Sequence, residues 1–168
     1  YYQSHTDEIN FTKSKVKHFF SDKKRMLSIS KAILKSNDII IMDDGLQDVS
    51  IVKDCHIICF NSTDPIGNGF LLPAGPLREQ IKKVSNCRIA VINGKRNIAF
   101  EKKLKSISST IEIYQSKYEI KNLKKLKGKR VLAFAGIGNP ENFFRLLKDG
   151  GLKIKQEISF PDHYNYKK

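Results

Sequence analysis

The stretch "IIIMDDGLQD", residues 39–48, poses the question on which the fold turns. Three isoleucines and a methionine run straight into two neighbouring carboxylates, Asp43 and Asp44, and then into a glycine. A short continuous apolar run, here "DIIIM" at residues 38–42, predicts a central strand of a sheet covered on both faces. In open parallel sheets ligands sit beyond the carboxyl ends of the strands, and the two aspartates stand at such an end. Two carboxylates about 4 Å apart repel by roughly 4 kcal/mol at an effective dielectric of 20. A divalent cation or a lysine relieves that repulsion. Apolar strand followed by acid is also the Walker B arrangement, in which an aspartate holds Mg2+ against nucleotide phosphates. The same residues fit a plain turn with Asp44-Gly45 as its dipeptide.

Working outward, residues 7–17 read as a polar helix. "RMLSISKAIL" (25–34) places Met26, Ile29, Ile33 and Leu34 at helical spacing. Downstream, "CHIICF" (55–60) reads as a second buried strand, with Cys55 and Cys59 on one face as core thiols. A metal cluster with His56 would need a fourth ligand that is not in sight. "CRIAVIN" and "IEIYQSKY" supply further strands. "KNLKKLKGK" (121–129) is a basic boundary between two units. After it, "RVLAFAGIGNPENFFRLLKDGG" reads as strand, glycine turn, helix opened by Pro140 and a Gly-Gly stop, and "LKIKQEISF" as the next strand. Strands alternating with helices predict an α/β fold with a mainly parallel sheet.

The chain of 168 residues is one full domain or most of two small ones, and a 40% hydrophobic fraction is enough for a core. Its net charge of +14 calls for polyanionic partners or a solvated lysine surface. Only six of the 31 basic residues are arginine, which weakens the case for a reader of nucleic acid. A basic nucleic-acid-binding module is the alternative reading, but no RNP-like string, zinc spacing or helix-turn-helix signature accompanies the charge. Three cysteines without paired spacing fit reduced thiols and a cytosolic compartment. No apolar run approaches ~20 residues, so no transmembrane segment is expected within this chain. The loop 61–80 holds Gly67, Gly69, Gly75, Pro65, Pro73 and Pro76, and its length and composition mark it as functional. No G-x-x-x-x-G-K-[ST] occurs; "AGIGNPEN" (135–142) has glycines before a helix but no lysine, and fits a tight strand-to-helix turn.

Three strings change the reading together: "DDGLQD" (43–48), "GNGFLLPAGPLRE" (67–79) and "AFAGIGNPENFF…FPDHYNY" (133–166). In this order and at these separations they resemble the tetraacyldisaccharide 4'-kinase, or lipid A 4'-kinase, family. The resemblance implies a P-loop-hydrolase-like three-layer α/β/α fold with a mainly parallel sheet and the start of a second, smaller α/β lobe. Residues 1–120 would be the C-terminal part of the nucleotide-binding lobe, 121–129 a linker region and 130–168 the beginning of the second lobe. The implied reaction is ATP-dependent phosphorylation of the 4'-hydroxyl of the lipid A precursor disaccharide, with ATP and Mg2+ as cofactors. The implied setting is the anionic cytoplasmic face of the bacterial inner membrane. The family's phosphate loop and N-terminal apolar helix would precede Tyr1 and further elements would follow Lys168. The chain is therefore expected to be the middle of the enzyme, inactive by itself, with a non-catalytic remnant as a further alternative.

By position, Asp43 and Asp44 match the family's Walker B pair and would hold Mg2+, and Gln47 belongs to the same motif. Asp7, in "TDE" where the family has "GDE", matches the aspartate that activates the sugar hydroxyl. His163, in "FPDHY", matches the histidine that pairs with it. Arg78 and Glu79 match residues lining the nucleotide and active-site cleft, where an arginine can stabilise phosphate charge. The glycines and prolines of the 67–76 loop shape it without doing chemistry. His5, His18 and His56 read as ordinary histidines.

Overall fold

A computed structural model describes residues 6–162, 164 and 166, with the side chains of residues 6–8 left aside. The chain forms two compact units, Tyr1–His56 and Ile57–Lys168.

The first unit contains helices α1 (Thr6–Lys15) and α2 (Arg25–Leu34). The stripe expected on α2 does form a helix, but it buries only Ala32, while Met26, Ile33 and Leu34 are exposed. The helix end is closed by Asn37, whose Nδ2 donates to the Ala32 carbonyl at 2.7 Å and whose Oδ1 meets His18 Nδ1 at 2.5 Å. The strand expected at residues 38–42 is not present. The segment is irregular, and Ile39 and Ile41 are 81% and 90% exposed. An apolar run becomes a strand only where a neighbouring strand takes its N–H and C=O groups. Among the described residues none does so.

The second unit is built on two parallel sheets. In the first, β1 (Ile57–Asn61), β2 (Ile89–Asn93) and β3 (Glu112–Ser116) lie in the order β1-β2-β3, Phe60 opposite Ile92 and Ile92 opposite Gln115. The central strand buries Ala90 and Ile92 completely. Helix α3 (Ile98–Ile107) contributes Phe100 and Leu104 to the core, and Phe100 meets Phe60 edge-on with centroids 4.9 Å apart. A 3-10 helix, Ile81–Asn86, seats Val84 in the interior. Strand β1 is an edge and not a doubly covered centre, so Cys59 is exposed; Cys55 lies before the strand and is exposed too. Only Cys87 is a core thiol.

In the second sheet β4 (Arg130–Ala135) pairs with β5 (Lys153–Ser159) through α5 (Pro140–Asp149). Asn139 caps α5 by accepting from the Asn142 amide at 3.2 Å, and Pro140 occupies the first turn, where its missing N–H costs nothing. The core here is Ala133, Ala135, Phe144, Leu147 and Leu152. The short helix α4 (Leu123–Leu126) packs Leu123 and Leu126 against it and leaves Lys124 and Lys125 exposed. The basic stretch 121–129 thus stands in the chain between the two sheets.

Candidate functional site

The acidic segment is a turn, and Asp44 occupies its left-handed position at φ 48°, which aspartate tolerates better than most residues. Arg25, the first residue of α2, holds it. Its Nη2 donates to the carbonyls of Asp44 (2.8 Å) and Asp43 (3.4 Å), and its Nη1 to Asp48 Oδ2 (3.1 Å). Asp48 Oδ1 accepts from the Ser50 hydroxyl at 2.5 Å and from the Ser50 amide at 3.0 Å, while Lys53 donates to the Asp48 carbonyl. The Ser50 hydroxyl, then the Ser50 amide and Arg25, hold the Asp48 carboxyl below its ordinary range. Arg25 grips Asp43 and Asp44 by their backbone carbonyls and Asp48 by its carboxylate. Gly45 is buried against Met42, where a side chain would meet Met42 Cβ at 2.9 Å.

Gln47 lies in the same turn segment, and among the described residues its Oε1 is the one buried side-chain nitrogen or oxygen with no hydrogen-bond partner. Two adjacent carboxylates are hard donors, the kind Mg2+ takes one or two of alongside waters and phosphate oxygens. Among the described residues no group of three or more His, Cys, Asp or Glu gathers into an all-protein cage.

The second cluster lies in the second unit. The loop from Ser62 to Gln80 is folded on itself by its own backbone. Leu71 and Leu77 form a parallel bridge, Leu72 N donates to Leu77 O at 2.9 Å and Leu77 N to Phe70 O at 3.2 Å. Asn68 ties the two arms together, its Nδ2 donating to Ala74 O at 2.8 Å and its Oδ1 accepting from Phe70 N at 3.1 Å. Gly67, at φ 56°, lies against the Pro76 ring, and Gly75 lies against Asn68 and the Phe70 carbonyl; a Cβ fits at neither. Arg78 (exposed) and Glu79 (half-buried) follow this closure directly, so the loop fixes where they leave it.

At the carboxyl ends of β1–β3 stands a polar layer that the sequence reading missed. Ser62 is buried, its amide donating to Asn93 O at 2.9 Å, and Ser116 Oγ meets Asn93 Oδ1 at 3.3 Å. Asn97 both caps α3, accepting from Phe100 N at 3.0 Å, and donates to Ser62 O at 3.1 Å. Glu101 is held by Arg96 at 3.1 Å and Gln115 at 2.9 Å, and Arg96 first of all keeps its carboxyl below the ordinary range. The signal for Asn97 was in plain view: an Asn three residues before the first buried residue of a helix. Arg25 left no such signal, because its partners are largely backbone carbonyls.

Asp43, Asp44 and Gln47 therefore share one turn segment of the first unit, and Arg78 and Glu79 one loop end of the second. The Asp7 side chain and His163 lie outside the described residues.

The profile of the tetraacyldisaccharide-1-P 4'-kinase family matches residues 7–168. A tetraacyldisaccharide 4'-kinase of Pelagibacter ubique is 39% identical over all of this chain and 54% of its own length. One from Rhodopseudomonas palustris is 36% identical over 76% of this chain and 39% of its own length. The crystal structure of LpxK from Aquifex aeolicus in complex with ATP is similar at a TM-score of 0.57 and 27% identity, over 86% of this chain and 48% of that one. The chain thus spans about half the length, or less, of the relatives it matches. With parallel α/β sheets and an acidic turn of hard donors already in place, the chain belongs to the tetraacyldisaccharide 4'-kinase family.

Proposed function

We propose that this chain forms part of an ATP-dependent kinase that phosphorylates the 4'-hydroxyl of tetraacyl disaccharide 1-phosphate, the lipid A precursor. The observation that carries the reading is the family match over residues 7–168, which takes in the acidic turn, the closed loop and "FPDHYNY". In this reading residues 1–120 belong to the nucleotide-binding lobe, 121–129 link, and 130–168 begin a second lobe.

Each residue then has a chemical task. Asp43 and Asp44 would hold Mg2+, and Gln47 belongs to the same nucleotide-binding motif. Bound Mg2+ would offset charge on the transferring phosphate. Arg78 supplies a guanidinium matched to phosphate oxygens, and Glu79 lines the nucleotide site beside it. Asp7 would accept the proton of the sugar hydroxyl, with His163 as the second group of that general-base function. The substrate is an anionic amphiphile, so the excess of 31 basic over 17 acidic residues favours work at the anionic cytoplasmic face of the inner membrane. Among the described residues no helix is long and apolar enough to cross a membrane.

A chimera tests the proposal: residues 7–168 replace the matched segment of the Pelagibacter ubique relative, and transfer of labelled γ-phosphate to tetraacyl disaccharide 1-phosphate is measured. The expected result is Mg2+-dependent labelling of the disaccharide. A folded chimera that leaves the disaccharide unlabelled overturns it.

A further inference from the structure

The closed loop does something its backbone does not need: it holds three large apolar side chains in water. Phe70, Leu71 and Leu72 are 64%, 39% and 62% exposed. They are not a loose tip, because the Phe70, Leu72 and Leu77 backbone bonds and the Asn68 bridge fix the segment that carries them. Beside them opens a groove of about 410 Å3 lined by Gly69, Phe70, Leu71, Gln80, Ile81 and Lys82. Its lining is mainly apolar, with Gln80 and Lys82 as the polar members, and Lys83 follows, all three exposed. Val84 anchors the helix beneath them in the core. From residue 66 to 88 the chain carries Arg78, Lys82, Lys83 and Arg88 against one carboxylate, Glu79.

An apolar knob with a cationic rim is complementary to one kind of surface, an apolar layer edged by phosphate. We propose that residues 69–72 dip into the interfacial layer of an anionic phospholipid bilayer while Lys82 and Lys83 meet its headgroup phosphates. Three apolar side chains and two lysines give reversible attachment, not an anchor. Leu77, hydrogen-bonded to Phe70, precedes Arg78 directly, so the attachment would set that arginine close to where an amphiphile presents its polar head. This names the contact through which the membrane partner of the proposed function is met, and to that extent rests on that function. Its test involves no phosphoryl transfer, so its failure and the failure of the kinase reading are separate results.

The chain has no tryptophan, so Phe70→Trp introduces a single reporter that keeps an aromatic ring at the tip. Tyr118→Trp, at a position 73% exposed and outside the loop, is the control. Each variant of the full chain is mixed with vesicles of phosphatidylglycerol and phosphatidylethanolamine carrying brominated acyl chains. Indole emission from the Phe70→Trp variant is expected to shift to the blue and be quenched, and that from the Tyr118→Trp variant to stay unchanged. Replacing Phe70, Leu71 and Leu72 together by serine is expected to weaken partitioning roughly thirtyfold. Lys82→Glu with Lys83→Glu is expected to weaken it about tenfold or more, and neutral phosphatidylcholine vesicles to bind neither form well. Three results overturn the proposal. One is unshifted emission from the Phe70→Trp variant while the chain sediments with the vesicles, and another is no sedimentation at all. The third is emission from that variant already shifted without lipid, which would mean that protein covers the tip.

Discussion

Arg25 and Asp48 are joined across 23 residues of sequence at 3.1 Å, and the same guanidinium reaches the Asp44 carbonyl at 2.8 Å, so one side chain ties the start of α2 to the acidic turn. Arg25→Ala is expected to free the turn without unfolding α2. Amide exchange at Asp48, whose N–H now bonds Gly45 O at 3.2 Å, should quicken by roughly tenfold or more. Arg25→Lys should not restore it, because an ammonium lacks the planar fork that serves a carboxylate and a carbonyl together. Unchanged exchange in the alanine variant would show that the turn holds itself.

The carboxyls of Asp48, Glu101 and Asp22 are all lowered, first by the Ser50 hydroxyl, by Arg96 and by Lys31 respectively. A group whose folded value lies below its unfolded one stabilises the fold fully above the unfolded value and loses that contribution as pH falls through the folded one. Urea midpoints should therefore hold steady through neutral pH and decline once pH drops below about 4.5. Added salt should flatten the decline, since all three groups are solvent-accessible. A midpoint that rises on acidification would contradict these pairings.

Asn97 serves two elements at once, capping α3 and reaching the Ser62 carbonyl at the end of β1. Asn97→Ala removes a cap worth about 1 kcal/mol and leaves that carbonyl with one partner fewer. Asn97→Asp should keep the cap and lose only the second bond, landing between alanine and the parent in chemical denaturation. Equal stability of all three would remove the link between helix and strand.

Leu104 and Phe144 are fully buried, one in each half of the second unit. Leu104→Ala should cost about 2–5 kcal/mol and Phe144→Ala about 3–5 kcal/mol. If residues 57–168 unfold together, both lower a single thermal transition. Two transitions, each moved by one variant alone, would show that the β1–β3 and β4–β5 sheets melt separately.

How much of this was legible in the residues depends on whether a local signal needed a distant partner. Residues 130–159 read correctly because alternation, the Asn139-Pro140 start and the Gly150-Gly151 stop all agree on strand, helix, strand. "IAVIN" read correctly because β2 is a central strand with a neighbour on each side. "DIIIM" misled because apolarity records a demand for burial and not the strand that would meet it. "CHIICF" misled in part for the same reason, since β1 is an edge and Cys59 stays exposed. Helix α3 went unread although Asn97 and Glu101 mark its start, because "INGKRN" before it looks only like a turn. At the candidate site, Asp43, Asp44, Gln47, Arg78 and Glu79 stood in long motif strings. The Arg25 hold and the polar layer at Ser62, Asn93 and Ser116 arise from residues that only folding brings together.

The most direct measurement is calorimetric titration of Mg2+–ATP into the chimera described above, beside its Asp43→Ala and Asp44→Ala forms. The expected result is binding by the parent that falls about tenfold or more in each variant and in EDTA, with far-UV circular dichroism unchanged. Equal affinity in all three proteins would contradict the assignment of the acidic turn to the metal–nucleotide complex, and the proposed kinase mechanism with it.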